Sequence, residues 1–188
     1  MNIELNILDW IQTLHTPFLD KIMVFITRLG DAGIIWIVLS IVLLLIPKTR
    51  KSGAVMVAAL VVDVLLCNIV LKNLVARTRP YDVNTGVHLL VANVVARTRP
   101  YEVVEGLHRM IEAQPDFSFP SGHTAASFAS VTALYLAGEK KLWKFALVLA
   151  CLIAISRLYL YVHYPTDVLG GILFGVISGY LGYRKVLK

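Results

Sequence analysis

Metal-ligand spacing is missing from this sequence. Its two cysteines, Cys67 and Cys151, each sit inside an apolar run and form no CxxC pair. They read as small buried apolar residues. Charge is scarce as well: Asp, Glu, Lys and Arg make up 16% of the 188 residues, against about 25% in an average soluble domain. The N-terminal MNIELNILDWIQTLH lacks a basic stretch followed by a continuous apolar core, so it does not read as a cleavable signal peptide. Nucleic-acid-binding motifs are absent too. The net charge of +6 comes from short basic clusters between apolar runs, a pattern that suits membrane topology better than a nucleic-acid groove.

What the sequence has in excess is apolar residues, 57% of the chain, where a soluble domain has about 45–50%. Five stretches, about 32–47, 52–75, 120–137, 142–160 and 165–182, are the expected membrane helices. A span needs roughly 17–25 residues, so the first and third are short and extend into their flanks. Residues 17–28 are too short and too charged to span alone and read as a partial or re-entrant segment. Ile3, Leu5, Ile7, Leu8, Trp10, Ile11 and Leu14 form one side of an N-terminal helix expected to lie along the bilayer surface. The expected fold is therefore all-α: one membrane-embedded domain over residues 1–188, a bundle of five to six membrane helices plus an interfacial helix.

Lys and Arg give the orientation. Lys48, Arg50 and Lys51, then Lys140, Lys141 and Lys144, then Arg184, Lys185 and Lys188 all fall on one side of five spans, the expected cytoplasmic side. The opposite side receives the end of the second span, the long 76–120 connection, the start of the third span and the 158–166 link.

That long connection carries a tandem repeat. Residues 71–90 align with 91–110 without gaps, eleven of twenty positions are identical, and VARTRPY occurs in both. Two copies cannot stack into a solenoid, so a local duplication is the simpler reading. The copies differ at one telling position: the first has Lys72, the second Ala92.

Three clusters on the non-cytoplasmic side carry chemistry. Lys72-x6-Arg79-Pro80 puts two cations nearly two helical turns apart, on one face. They repel unless an anion lies between them, or they simply snorkel to the membrane surface. Phe119-Pro120-Ser121-Gly122-His123 opens an apolar helix. Ser121 is placed to cap it, Gly122 allows close backbone approach, and free N–H groups at a helix start make an anion site. A plain capped helix with an interfacial His is the alternative. In Ser156-Arg157-x5-His163-x3-Asp167 the last two residues are four apart. Asp167 can take the Nδ1–H of His163 and leave Nε2 free, as a histidine base or nucleophile requires. A metal pair lacks a third ligand, and a surface His–Asp contact is the structural alternative. Asp63, in the middle of the second span, is an intramembrane carboxylate. It reads more readily as a hydrogen-bonded bundle contact, with a group such as Asn68, than as part of the site.

K-x6-RP, PSGH and SR-x5-H-x3-D, in that order, resemble the tripartite signature of the phosphatidic acid phosphatase type 2 superfamily of membrane lipid phosphatases. The motifs cover about two dozen residues between 72 and 167. The resemblance implies a metal-independent and cofactor-independent hydrolase acting on a lipid phosphate or pyrophosphate within the bilayer. His163 would be the nucleophile, forming a phosphohistidine, and Asp167 its orienting carboxylate. His123 would be the general acid and then the base. Lys72, Arg79 and Arg157 would bind phosphoryl oxygens, helped by N–H groups near Ser121 and Gly122. Undecaprenyl pyrophosphate, phosphatidylglycerol phosphate, phosphatidic acid and diacylglycerol pyrophosphate are the candidate substrates. A phosphotransferase using the same site, and a non-catalytic lipid-phosphate binder, are the alternatives. The duplication departs from the family pattern. The first copy, with Arg79, is favoured because only it has both cations; Arg99 of the second copy lies closer to Ser121.

Overall fold

The computed structural model describes residues 3–71, 99–104, 110–112 and 118–188, and the regular structure among them is entirely helical. Helix α1 (Ile3–Gln12) precedes α2 (Pro17–Leu29), which starts where theory places a helix start. Thr16 is the N-cap and accepts from the Leu19 amide at 3.2 Å, with Pro17 at the first helical position. A 3-10 turn (Asp31–Gly33) then joins α2 to α3 (Ile34–Leu45). Together α2 and residues 31–45 pass as one membrane-crossing unit bent by 46°. Residues 17–28, expected as a partial segment, are thus the first half of a broken helix pair.

Helix α4 (Arg50–Asp63) continues into a π-helical stretch, Val64–Leu71. A single turn, Pro100–Val103, follows the undescribed connection. Helices α5 (Gly122–Leu136), α6 (Leu142–Tyr159) and α7 (Pro165–Leu187) match the last three expected spans. Among the described residues, α6 and α7 are each long and apolar enough to cross a membrane unaided, and the bent α2–α3 pair makes a third candidate.

The surface explains the excess of apolar residues. Ile34, Val38, Ile41 and Leu45 of α3, Phe145 and Val148 of α6, and Leu169 and Leu173 of α7 are all exposed. Contiguous apolar surface on this scale is a liability in water and the normal outside of a bundle in lipid. Polar groups are turned inward instead: the Trp36 indole donates to Ser127 Oγ at 3.0 Å, joining α3 to α5.

In lipid, helices gain little from burying apolar surface, so close backbone approach through small residues takes over. Gly171, Gly175 and Gly179 form such a stripe on α7. A Cβ at Gly171 would stand 2.7 Å from the Ser121 carbonyl, and Gly175 and Gly179 press on Ala125, Ala129 and Thr132 of α5 in the same way. Gly182 continues the row against Ala59 of α4. The α5–α7 contact therefore holds the PSGH turn beside the start of α7.

The two ends of the bundle are chemically distinct. At one end Ser52 Oγ donates to Glu139 Oε1 at 2.7 Å, so the basic links before α4 and before α6 lie together. At the other end the Ser121 amide donates to the Asp167 carbonyl at 3.1 Å, and His123 meets Asp31. The second and third clusters of the sequence thus share one end, opposite the basic links. Over that end Leu8, Tyr101, Tyr159, Tyr161, Val162 and Tyr164 form a buried cap.

Candidate active site

His163 lies in the short link between α6 and α7, 2% exposed. The Arg99 guanidinium reaches it, with Nη1 donating to the Val162 carbonyl at 2.9 Å and standing 3.3 Å from His163 Nε2. Arginine has no acceptor, so this contact requires Nε2 to carry the lone pair. The ring proton is then on Nδ1, which faces Asp167 Oδ2 at 3.6 Å. That separation is too long for a formed hydrogen bond, and catalytic contacts of this kind commonly tighten when substrate binds. Burial, with Arg157 and Arg99 adding to it, pushes His163 down to about 3 against the opposing pull of Asp167. The imidazole is therefore neutral at physiological pH, with its lone pair on Nε2.

Asp167 does more than face His163. It is fully buried, and its Oδ2 accepts from the Tyr164 amide at 2.8 Å, capping α7, and from Ser118 Oγ at 2.5 Å. Arg157, 1% exposed, donates from Nη1 to Thr27 Oγ1 at 2.6 Å. Its charge acts on His163 from behind the cavity wall.

His123 is the second residue of α5, and its Nε2 lies 2.9 Å from Asp31 Oδ1. A cavity of about 390 Å³ is bounded by both His123 and His163, together with Arg99, Asp63 and Gly122. That volume is within the range of ordinary ligand sites. Its other wall is apolar, with Ile37, Leu60, Val64 and Ala126. Ile37 and Val64 of that wall are also half exposed. A Cβ at Gly122 would project into open space, and the helix start there turns its positive end to the cavity.

The sequence-derived residues distribute unevenly. His123, His163 and Gly122 line the cavity, with Asp167 and Arg157 behind them. Ser121 is placed otherwise: its hydroxyl does not cap α5 but accepts from Thr124 Oγ1 at 3.0 Å, and its amide is taken by the Asp167 carbonyl. It is fully buried and braces the turn. Lys72 and Arg79 lie outside the described residues, and it is Arg99 of the second repeat copy that touches His163. Asp63, set aside as too deep, is the last residue of α4 and faces the cavity, where Cys67 Sγ stands 3.4 Å from its Oδ1. Asp31 and Ser118 escaped the sequence reading altogether. The Gly-Asp-Ala-Gly turn signal at 30–33 marked a break but not its partner.

Comparisons with known proteins give the family. The model of the PAP2 superfamily matches residues 50–188. An undecaprenyl-diphosphatase of Sulfolobus acidocaldarius is 30% identical over 88% of this chain and 70% of its own length. Phosphatidylglycerophosphatase B of Bacillus subtilis is 32% identical over 93% of this chain and 80% of its own. The crystal structure of Aquifex aeolicus LpxE superposes with a TM-score of 0.74 at 25% identity, covering 98% of this chain and 96% of that one. The chain belongs to the PAP2 superfamily.

Proposed function

We propose that this PAP2 superfamily membrane protein hydrolyses a lipid phosphate or diphosphate through a phosphohistidine on His163. The observation that carries the reading is the shared cavity: two imidazoles and a guanidinium bound one space whose opposite wall is apolar. Phosphoryl transfer asks for charge on the equatorial oxygens and for attacking and leaving groups in line. Arg99 and the α5 N-terminus answer the first need, with Arg157 adding its field. His163 and His123 answer the second.

In the first step the Nε2 lone pair of His163 forms the bond to phosphorus while the bond to the lipid oxygen breaks. His123 delivers the proton that this oxygen takes up. Asp167 balances the positive charge that develops on His163. In the second step water attacks phosphorus, His123 takes its proton, the phosphorus–nitrogen bond breaks and inorganic phosphate leaves. Gly122 serves here through its backbone amide. Lys72 and Arg79 remain candidates for additional phosphate contacts from the first repeat copy.

Undecaprenyl diphosphate and phosphatidylglycerol phosphate lead the substrate panel, because relatives named for both match most of this chain. The cavity recognises phosphate and a lipid flank, so the panel also includes phosphatidic acid and diacylglycerol pyrophosphate. The basic links support a plasma-membrane orientation with the site on the non-cytoplasmic face. The test is phosphate release from these lipids in proteoliposomes, beside His163→Ala. Release that survives His163→Ala, or labelled phosphate that never becomes trapped on the wild-type chain, removes the phosphohistidine route.

A further inference from the structure

The break between α2 and α3 is built around His123. Three independent features converge there. Asp31 Oδ1 lies 2.9 Å from His123 Nε2, across 92 residues of sequence. Gly30 packs on the imidazole itself: a Cβ there would stand 2.8 Å from His123 Cδ2 and 3.1 Å from Ile153 Cγ2. The backbone beyond then turns through two consecutive left-handed residues, Ala32 at φ 50° and Gly33 at φ 68°. For Ala32, which carries a Cβ, that conformation is strained. Such strain persists where the surrounding structure enforces it, often next to a working group.

We propose that Asp31 is the positioning carboxylate of His123, and that the 30–33 turn is its cradle. The assignment rests on the hydrolase reading above and extends it: each histidine has its own carboxylate, Asp167 for His163 and Asp31 for His123. The need is electrostatic. A general acid must keep a proton beside Arg99 and Arg157, and a carboxylate in contact with the ring offsets that third positive charge. With Nε2–H committed to Asp31, the ring is fixed and Nδ1 becomes the nitrogen that faces the leaving oxygen. Asp31 is half exposed, 54% for its side chain against 14% for His123, so it stands at the water side of the pair. A second cavity of about 420 Å³, lined by Thr27, Arg28, Asp31, Glu112 and His123, opens there.

A positioning role predicts a loss that depends on the leaving group, which a merely structural role does not. An alkoxide leaving group needs the proton from His123, whereas p-nitrophenolate leaves without it. The experiment measures kcat/KM of the full-length protein for a long-chain alkyl phosphate and for p-nitrophenyl phosphate. General acid help is worth typically 10²–10⁴-fold, so Asp31→Ala and Asp31→Asn should lose about tenfold to hundredfold on the alkyl ester. On p-nitrophenyl phosphate they should stay within about twofold, which also shows that they fold. In the His123→Ala background Asp31→Ala should add no further loss. Equal losses on both substrates, no loss on either, or additive losses in the double variant overturn the assignment. If wild type releases phosphate from neither ester, the hydrolase reading itself fails. If His123→Ala shows the leaving-group dependence and Asp31→Ala does not, only the role of Asp31 fails.

Discussion

Replacing Arg99 by Ala should cripple phosphate release while leaving the chain folded. The guanidinium is 3% exposed and makes two contacts that matter, to the Val162 carbonyl at 2.9 Å and to His163 Nε2 at 3.3 Å. Removing one preorganised donor to a developing anion costs about 10²–10³ in rate, or about 2.7–4 kcal/mol. Loss of the hydrogen bond to Val162 adds a looser nucleophile link, worth about 1.5–3 kcal/mol when a charged group is involved. Part of that second sum is spent on stability and not on rate. The expected fall in kcat/KM is therefore about 10²–10³-fold. A second signature has a sign. His163 sits at about 3 because of burial first and of the neighbouring cations next. Taking away Arg99 removes a cation, so the pH below which His163 becomes protonated rises. The acid limb of kcat/KM, steep only in strongly acidic buffer for wild type, should move toward neutrality in Arg99→Ala. Phosphate release in proteoliposomes across pH reads both effects, with Arg79→Ala alongside. An Arg99→Ala protein with near wild-type turnover, beside an inactive Arg79→Ala, would refute the reasoning and return the site to the first repeat copy.

Three further outcomes follow from geometry. Ser118→Ala removes the 2.5 Å hydrogen bond to Asp167 and should lower kcat about tenfold to hundredfold, with KM little changed, in the same release assay. Gly175→Ala places a methyl against the Ala125 carbonyl and 3.0 Å from the Ala129 amide nitrogen; it should lower the thermal unfolding midpoint in detergent by an overpacking cost of about 1–3 kcal/mol. An increase instead would mean that helix propensity outweighs packing there. Tyr161 stands at φ 60° two residues before His163, its hydroxyl 2.6 Å from Asp9 Oδ1. Tyr161→Phe should speed amide hydrogen exchange across 159–164 while the core of α6 keeps its protection.

The motifs around His123 and His163 were legible because their chemistry and their local spacing coincide. His163 and Asp167 are four residues apart across the turn into α7, and no tertiary information is needed to bring them together. Span positions were legible for a similar reason, since α5, α6 and α7 begin within two residues of their expected starts. What escaped was set by encounters between distant segments. Asp31 meets His123 only because α2 and α3 break at residue 30, and Ser118 meets Asp167 across 49 residues. Arg79 and Arg99 sit in identical VARTRPY strings, so no local pattern marks the contact of Arg99 with His163, while Lys72 and Arg79 lie outside the described residues. Asp63 is the hydrogen-bonded contact expected of it, with Cys67 as a partner, and it lies where α4 becomes π-helical and borders the cavity. The glycine stripe of α7 was open to reading as a small-xxx-small pattern, although its partners on α5 were not.

Helix α1 has two unlike sides. Gln12 and His15, just beyond its end, reach the Tyr159 carbonyl at 3.0 and 3.1 Å, Asp9 holds Tyr161, and Glu4 takes both Thr166 donors. Ile3, Ile7, Trp10 and Leu14 face away from the protein. The link that carries His163 is thus moored to α1, whose other side is apolar and exposed. Whatever shifts α1 therefore shifts the ground on which His163 stands.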